Sequence, residues 1–184
     1  MEESVIKAAS SGDKKAFKRI FDVFLPRMRP VCLRYARTSF EADDILQESF
    51  IKVHKYLSTF NYQGSFEGWI RRIVVNTALN HYKKNTNLLV TDQLETVGEE
   101  LIDSELQKDV DNIEESELIK LIEKLPEGYK LVFKMYVLDD LSHKEIGEIL
   151  EISEGTSRSQ YAKAKKYLKK LIVQATKSAK NISY

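Results

Sequence analysis

Cysteine, proline and glycine are scarce, at 1, 3 and 7 of 184 residues. The single cysteine, Cys32, excludes an intramolecular disulfide and fits a reducing compartment. So little proline and glycine argues against a low-complexity or repeat chain. No run approaches the roughly 20 apolar residues that a membrane span needs. The opening MEESVIKAASSGDKK begins with acids and lacks the apolar stretch of a secretory signal. The expectation is a soluble cytoplasmic protein. Also missing are a Ser/His/Asp set, a P-loop and a glycine-rich nucleotide motif. His54, His81 and His143 match no metal-ligand spacing with Cys32. An enzyme is therefore the weakest function class, and no metal, cofactor or small-molecule substrate is expected.

What is present points to helices. The chain is 42% apolar, enough for packed cores, and helix formers dominate over alternating β-branched runs. The expected fold class is all-α. The net charge of +1 hides three blocks. Residues 1–87 carry 15 basic and 9 acidic side chains, residues 88–117 carry 1 and 11, and residues 118–184 carry 13 and 8. Two basic blocks flank an acidic one, so partners have to be argued block by block.

In the first block Phe17, Ile20, Phe21 and Phe24 recur at helical spacing, with Asp13 as a cap. Pro26 and Pro30 are expected to break or kink this helix, with a second one resuming over Val31–Arg37. Over Glu41–Leu57 an apolar stripe of Leu46, Phe50, Val53 and Leu57 predicts a buried helix face. Thr59–Phe66 reads as a loop with Gly64 and a Ser65 cap, and Gly68–Asn85 as a third helix. The acidic Thr91–Glu117 lacks a sustained apolar face and reads as a linker with a helical end, most of it a solvated tether. After it an apolar helix ends near Leu125, and Pro126 opens a helix with Leu131, Val132, Met135 and Tyr136 on one face. Two short helices come next, from Ser142 and from near Glu154.

Those last two carry the clearest motif, LSHKEIGEILEISEGTSRSQYAKAKKYLKKL. Ser142 with Glu145 forms a capping-box pattern. Ile146, Ile149 and Leu150 supply an apolar face, and Gly147 permits a close helix crossing. Glu151-Ile152-Ser153 makes a tight turn. From Thr156 onward there is no acid, while Arg158, Lys163, Lys165, Lys166, Lys169 and Lys170 crowd together. This is the layout of a helix-turn-helix, whose second helix enters the major groove by its N-terminal half. A Lys-rich helix alone would read as a solvated face. The capping box, turn and acid-free helix together favour DNA.

Two stretches resemble a known family. DDILQESFIKVHKYLSTFNYQGSFEGWIRRIVVNTALNHYKKN, residues 43–85, resembles region 2 of bacterial sigma-70 factors. LPEGYKLVFKMYVLDDLSHKEIGEILEISEGTSRSQYAKAKKYLKKL, residues 125–171, resembles region 4. With no other sigma region visible, the chain looks like the small extracytoplasmic-function (ECF) subgroup. The resemblance implies a region 2 domain over 1–87, an acidic linker over 88–116 and a region 4 domain over 117–184. It implies a factor that binds core RNA polymerase, recognises the −10 and −35 promoter elements and promotes DNA melting.

Residue roles come from the same resemblance. Asp44, Ile45, Gln47, Glu48, Phe50 and Lys52 would dock on the clamp of the largest polymerase subunit, with Asp44, Gln47 and Glu48 opposite the apolar stripe. The flap of the second-largest subunit is a second expected contact. Phe60, Asn61, Tyr62, Arg72, Ile73, Asn76, Asn80, Lys83 and Lys84 would face the −10 DNA, with Asn76 in a pocket for a flipped-out base. Asn76 can both donate to and accept from a base edge. Arg71, Arg72, Lys83 and Lys84 suit phosphates, whereas Phe66 and Trp69 read as core. Thr156, Arg158, Ser159, Ala162, Lys163 and Lys166 would face the −35 element. The family's turn glycine is replaced by Glu151, which suggests a looser turn. Ser157 stands in place of a usual valine, and lysines 163 and 165 in place of arginines. Lysine cannot make arginine's bidentate contact to guanine, so weight shifts to Arg158. Promoter DNA and polymerase are the expected partners, and an anti-sigma protein is a further candidate because family members often pair with one.

The alternative reading is a stand-alone helix-turn-helix regulator whose first block is an effector or dimerisation domain. Aromatics beside arginines in TFNYQGSFEGWIRR favour the sigma reading, since dimerisation has no need of them.

Overall fold

The computed structural model describes residues 1–86 and 114–181, apart from the side chains of residues 84–86, 115 and 176–181. Most of the acidic block, and the Lys84 side chain, lie outside them. The described residues are helical and form two compact units, one within Met1–Leu89 and one within Val90–Tyr184. No described helix is long and apolar enough to cross a membrane.

The first unit holds α1 (Glu3–Ser10), α2 (Lys14–Leu33), α3 (Ser39–Tyr56), a 3₁₀ turn (Leu57–Thr59) and α4 (Phe66–Thr86). Asp13 caps α2, its carboxylate accepting from the Lys15 and Ala16 amides at 2.8 and 3.2 Å. Contrary to the sequence expectation, α2 runs unbroken through Pro26 and Pro30 and ends at Leu33. Packing overrides the local cost of about 3 kcal/mol per interior proline. Ile20, Phe24, Met28, Val31 and Cys32 are all buried, so the stripe is anchored on both sides of the prolines. Thr38 caps α3 by accepting from the Glu41 amide at 3.1 Å. The predicted stripe of Leu46, Phe50, Val53 and Leu57 is buried, and meets Ile70, Val74 and Val75 in the core.

The second unit holds α5 (Glu115–Glu123), α6 (Glu127–Phe133) continuing into a π segment (Lys134–Leu138), α7 (His143–Leu150) and α8 (Glu154–Asn181). Pro126 is the residue just before α6, in extended conformation. The π segment was not legible in the sequence. Nor was the length of α8, which runs 28 residues rather than ending as a short recognition helix. Its second half has a core of its own: Leu168 and Ile172 pack with Leu121, Ile122, Leu125 and Phe133. The Lys134 ammonium pairs with Glu123 at 2.6 Å, and Lys130 with Glu127 at 2.7 Å.

Candidate nucleic-acid and polymerase interfaces

The loop before α4 is built from aromatics. Phe60 and Phe66 are buried, at 5.1 Å between ring centroids, and Trp69 stacks on Phe66 at 5.7 Å. Tyr62 is left on the outside, 43% exposed and 4.9 Å from Phe60. Its backbone lies in the left-handed region at φ 61°, a rare state for a bulky residue, held next to Gly64 at φ 90°. The Asn61 side chain is spent on the loop, accepting from the Gln63 amide at 3.1 Å. Ser65 caps α4 as expected, accepting from the Gly68 amide at 2.9 Å. Lys7, from α1, sits 5.7 Å from the Tyr62 ring, a contact with no sequence signal.

Along α4 the polar side chains Arg72, Asn76, Asn80 and Lys83 recur every three or four residues, which puts them on one face. Asn76 and Asn80 are exposed; Arg72, Ile73 and Lys83 are half-buried. An exposed amide can read a base edge, and an exposed ring such as Tyr62 can stack a base.

The expected polymerase-facing residues of α3 divide into three groups. Ile45 and Phe50 are buried, at 0% and 3% exposure. Asp44 and Gln47 are exposed and line a groove of about 660 Å³ with Leu46, Phe50, Phe17 and Phe21. They therefore flank the apolar stripe rather than oppose it, since they line the same groove as Leu46 and Phe50. Ile51, in the same groove, is 64% exposed. Glu48 and Lys52 turn away towards α4. One Glu48 oxygen meets His81 Nε2 at 2.7 Å and the other the Lys52 ammonium at 2.7 Å. Lys52 also donates to the Thr77 hydroxyl at 3.2 Å. His81 first, then Lys52, hold the Glu48 carboxyl below its ordinary pKa. Only the Glu48–Lys52 spacing of four was visible in the sequence.

In the second unit the capping box is complete: Ser142 accepts from the Glu145 amide, and Glu145 accepts from the Ser142 amide at 2.9 Å. The turn is not loosened by Glu151. That residue adopts φ 61°, ψ 40°, the left-handed state its replaced glycine would favour, and the Ile152 amide closes on the Gly147 carbonyl at 3.0 Å. Gly147 is required by a close backbone approach: a Cβ there would lie 2.8 Å from the Ile152 carbonyl oxygen and 3.5 Å from the Glu154 amide that opens α8.

On α8 the expected DNA-facing side chains are unequally placed. Arg158 and Lys166 are exposed, and Ser159, Ala162 and Lys163 half-buried. Thr156 is 1% exposed, its hydroxyl 2.8 Å from the Ser153 hydroxyl inside the turn. Arg158 is paired along the helix with Glu154 at 2.5 Å. Ser157 is fully buried and lies 2.9 Å from His143 Nδ1.

Comparison with known proteins agrees with these two units. The family model for sigma-70 region 2 matches residues 20–87, and that for sigma-70, region 4 matches residues 115–168. The chain is 31% identical over 174 residues to the ECF RNA polymerase sigma factor SigW of Bacillus subtilis, across 90% of this chain and 93% of that one. It is 27% identical to the ECF RNA polymerase sigma-E factor of Haemophilus influenzae, across 93% and 95%. Among solved structures, CnrH in complex with the cytosolic domain of CnrY aligns with a TM-score of 0.58 at 16% identity, over 92% of this chain and 96% of that one. The sigma factor RpoE of Bartonella quintana, in complex with the anti-sigma factor NepR, aligns at 0.56 and 16%, over 86% and 97%. At that identity the two structures speak for the fold. With region 2 and region 4 matched in order, and a relative of this kind matched along nearly its whole length, the chain belongs to the ECF sigma factors of the sigma-70 family.

Proposed function

We propose that this chain is the promoter-reading subunit of a bacterial RNA polymerase. It binds core polymerase, recognises −10 and −35 elements and promotes melting, and it catalyses no step itself. It acts in the cytoplasm, where the polymerase and the chromosome are. One observation carries the reading: units matching the two sigma regions lie on one chain, each with an exposed polar face. A stand-alone regulator would use the first unit for effector binding or dimerisation, which has no need of loop aromatics beside arginines.

The division of roles is set by exposure. The polymerase meets α3 through Asp44, Gln47 and the open groove beside Phe50 and Ile51. Ile45 supports that surface from beneath, and Glu48 and Lys52 tie it to α4. The −10 DNA meets Tyr62, Asn76, Asn80 and the basic side chains of α4, while Phe60 and Asn61 shape the loop. Opening DNA costs a few kcal/mol per unstacked base, and an exposed ring on a fixed loop offsets part of that cost. The −35 DNA meets Arg158, Ser159, Ala162, Lys163 and Lys166, and Thr156 holds the turn that presents them. An anti-sigma protein is a further partner, since the sigma factor RpoE, which shares this fold, is solved in complex with the anti-sigma factor NepR.

The test is run-off transcription from a library of promoter fragments, using purified bacterial core polymerase with and without the chain. Protein-dependent, fragment-specific transcripts are expected. No stimulation, together with tight binding of the free chain to duplex DNA, would replace this reading with the regulator.

A further inference from the structure

The inward face of a recognition helix is ordinarily apolar, because packing alone has to fix it to the helices beneath. Here that face is polar over its first two turns. Thr156, Ser157 and Gln160 are 1%, 0% and 9% exposed. Thr156 is tied to Ser153 within the turn. The Gln160 amide lies against Gly128, where a Cβ would be 3.3 Å from its oxygen. Ser157 reaches a different helix through a polar contact, 2.9 Å from His143 Nδ1 on the first turn of α7. His143 is itself 8% exposed, stacked on Tyr136 at 4.4 Å and 10°, with Tyr161 5.6 Å away.

An apolar pair would fill this space without desolvating two polar groups, and such replacements are often neutral for stability. What an apolar pair lacks is direction. A buried hydrogen bond is satisfied at one rotation and one axial register of the two helices, whereas methyl groups tolerate sliding. Rotation of α8 matters because Arg158 and Ser159 come directly after Ser157, and their approach to a base edge is set by it.

We propose that the buried His143–Ser157 pair is a positioning device that fixes α8 against α7 and so sets how strictly the helix discriminates −35 base pairs. The inference rests on the reading of α8 as the −35 reader. Neither residue touches DNA; both act through Arg158 and its neighbours.

The surroundings make the device sensitive to acid. The His143 pKa is lowered by burial first, then by Arg158 and Lys165, with Glu154 opposing; Tyr136 and Tyr161 also face the ring. The folded unit therefore favours neutral histidine. Its contribution is present above the ordinary value of 6.5 and is lost as pH falls below it, because the unfolded chain then takes up the proton more readily. A histidine at the DNA surface would act oppositely, gaining phosphate attraction when protonated.

The experiment measures discrimination by holoenzyme: affinity for a promoter with its selected −35 element over one with that element scrambled. The His143→Phe/Ser157→Ala double variant removes both polar partners and keeps the ring stack. It should unfold close to the wild-type temperature yet lose roughly 3- to 10-fold of its discrimination, the scale of one hydrogen bond. Full discrimination in the folded double variant would overturn the proposal. A second arm needs no variant: wild-type discrimination should hold from about pH 8 down to the ordinary value of 6.5 and fall only below it, because burial keeps His143 neutral above it. Loss of discrimination already above that value would overturn the proposal as well. A wild-type holoenzyme with no −35 preference at any pH would instead sink the −35 reading beneath it.

Discussion

Gly147 and Glu151 show how closely one turn is specified by single residues. They sit four apart, and each substitution changes the turn in an opposite direction. Gly147→Ala places a methyl group 2.8 Å from the Ile152 carbonyl, a backbone atom that cannot swing aside. The expected cost is about 1–3 kcal/mol, read as a lower unfolding temperature of the second unit. Glu151→Gly relieves a left-handed residue at φ 61° and should stabilise by about 0.5–1 kcal/mol after the greater chain entropy of glycine is counted. Opposite signs in thermal unfolding are the test. Destabilisation by both would mean that the turn is held by the Glu151 side chain, not by its backbone.

Exposure also decides which single residues report on function. Asn76 is exposed on α4, so Asn76→Ala removes a base-reading group without opening the core. It should reduce promoter opening by about 10-fold, the value of one good base contact, and leave core-polymerase affinity unchanged. Equal loss of both would assign Asn76 to folding. Glu48 cannot be used in this way. Its carboxylate is shared between His81 and Lys52, so any change there disturbs the α3–α4 tie along with the surface. Asp44→Lys with Gln47→Ala changes only exposed groove positions. Competition with a labelled sigma factor for core polymerase should show affinity weakened by at least about 10-fold; unchanged affinity would remove α3 as the docking helix.

Among the helices, what the sequence revealed and what it hid divide along a physical line. Short-range signals were legible. The Asp13 cap, the Ser65 cap, the Ser142–Glu145 box and the Leu46–Leu57 stripe each depend on residues within a turn or two of one another, and each is formed. Where local and tertiary terms compete, the sequence misled. Pro26 and Pro30 signal a break or kink, but with a stripe buried on both sides of them α2 remains one continuous helix. The second half of α8 carries only the short apolar run Leu171–Val173, yet Ile172 finds a core with Leu121 and Ile122 of α5, far back in the chain. Contacts between helices were invisible for the same reason. Nothing in the spacing of Glu48 and His81, or of His143 and Ser157, marks them as partners. The polar faces of α4 and α8 were read correctly as polar, but which members are buried, such as Thr156, depended on the turn geometry.

Across the whole chain, charge is distributed so that the net value of +1 describes no part of it. The segment 91–115 carries ten acids and one lysine, while both flanking blocks are basic. We predict that in a free chain those acids compete with phosphates for the basic side chains of the flanking blocks. Removing residues 91–115 raises the net charge by nine and removes the competitor. The free variant should bind non-specific duplex DNA more tightly than wild type at low salt. The advantage should shrink as salt rises, because the acids and the phosphates are screened alike within about 10 Å at 0.1 M. Fluorescence anisotropy across a salt series measures both the gain and its slope. A gain that persists at high salt would mean that the deletion had changed the units themselves. No gain at any salt would confine the acids to a role on the polymerase, where a segment of RNA-like charge can occupy surfaces that otherwise take nucleic acid.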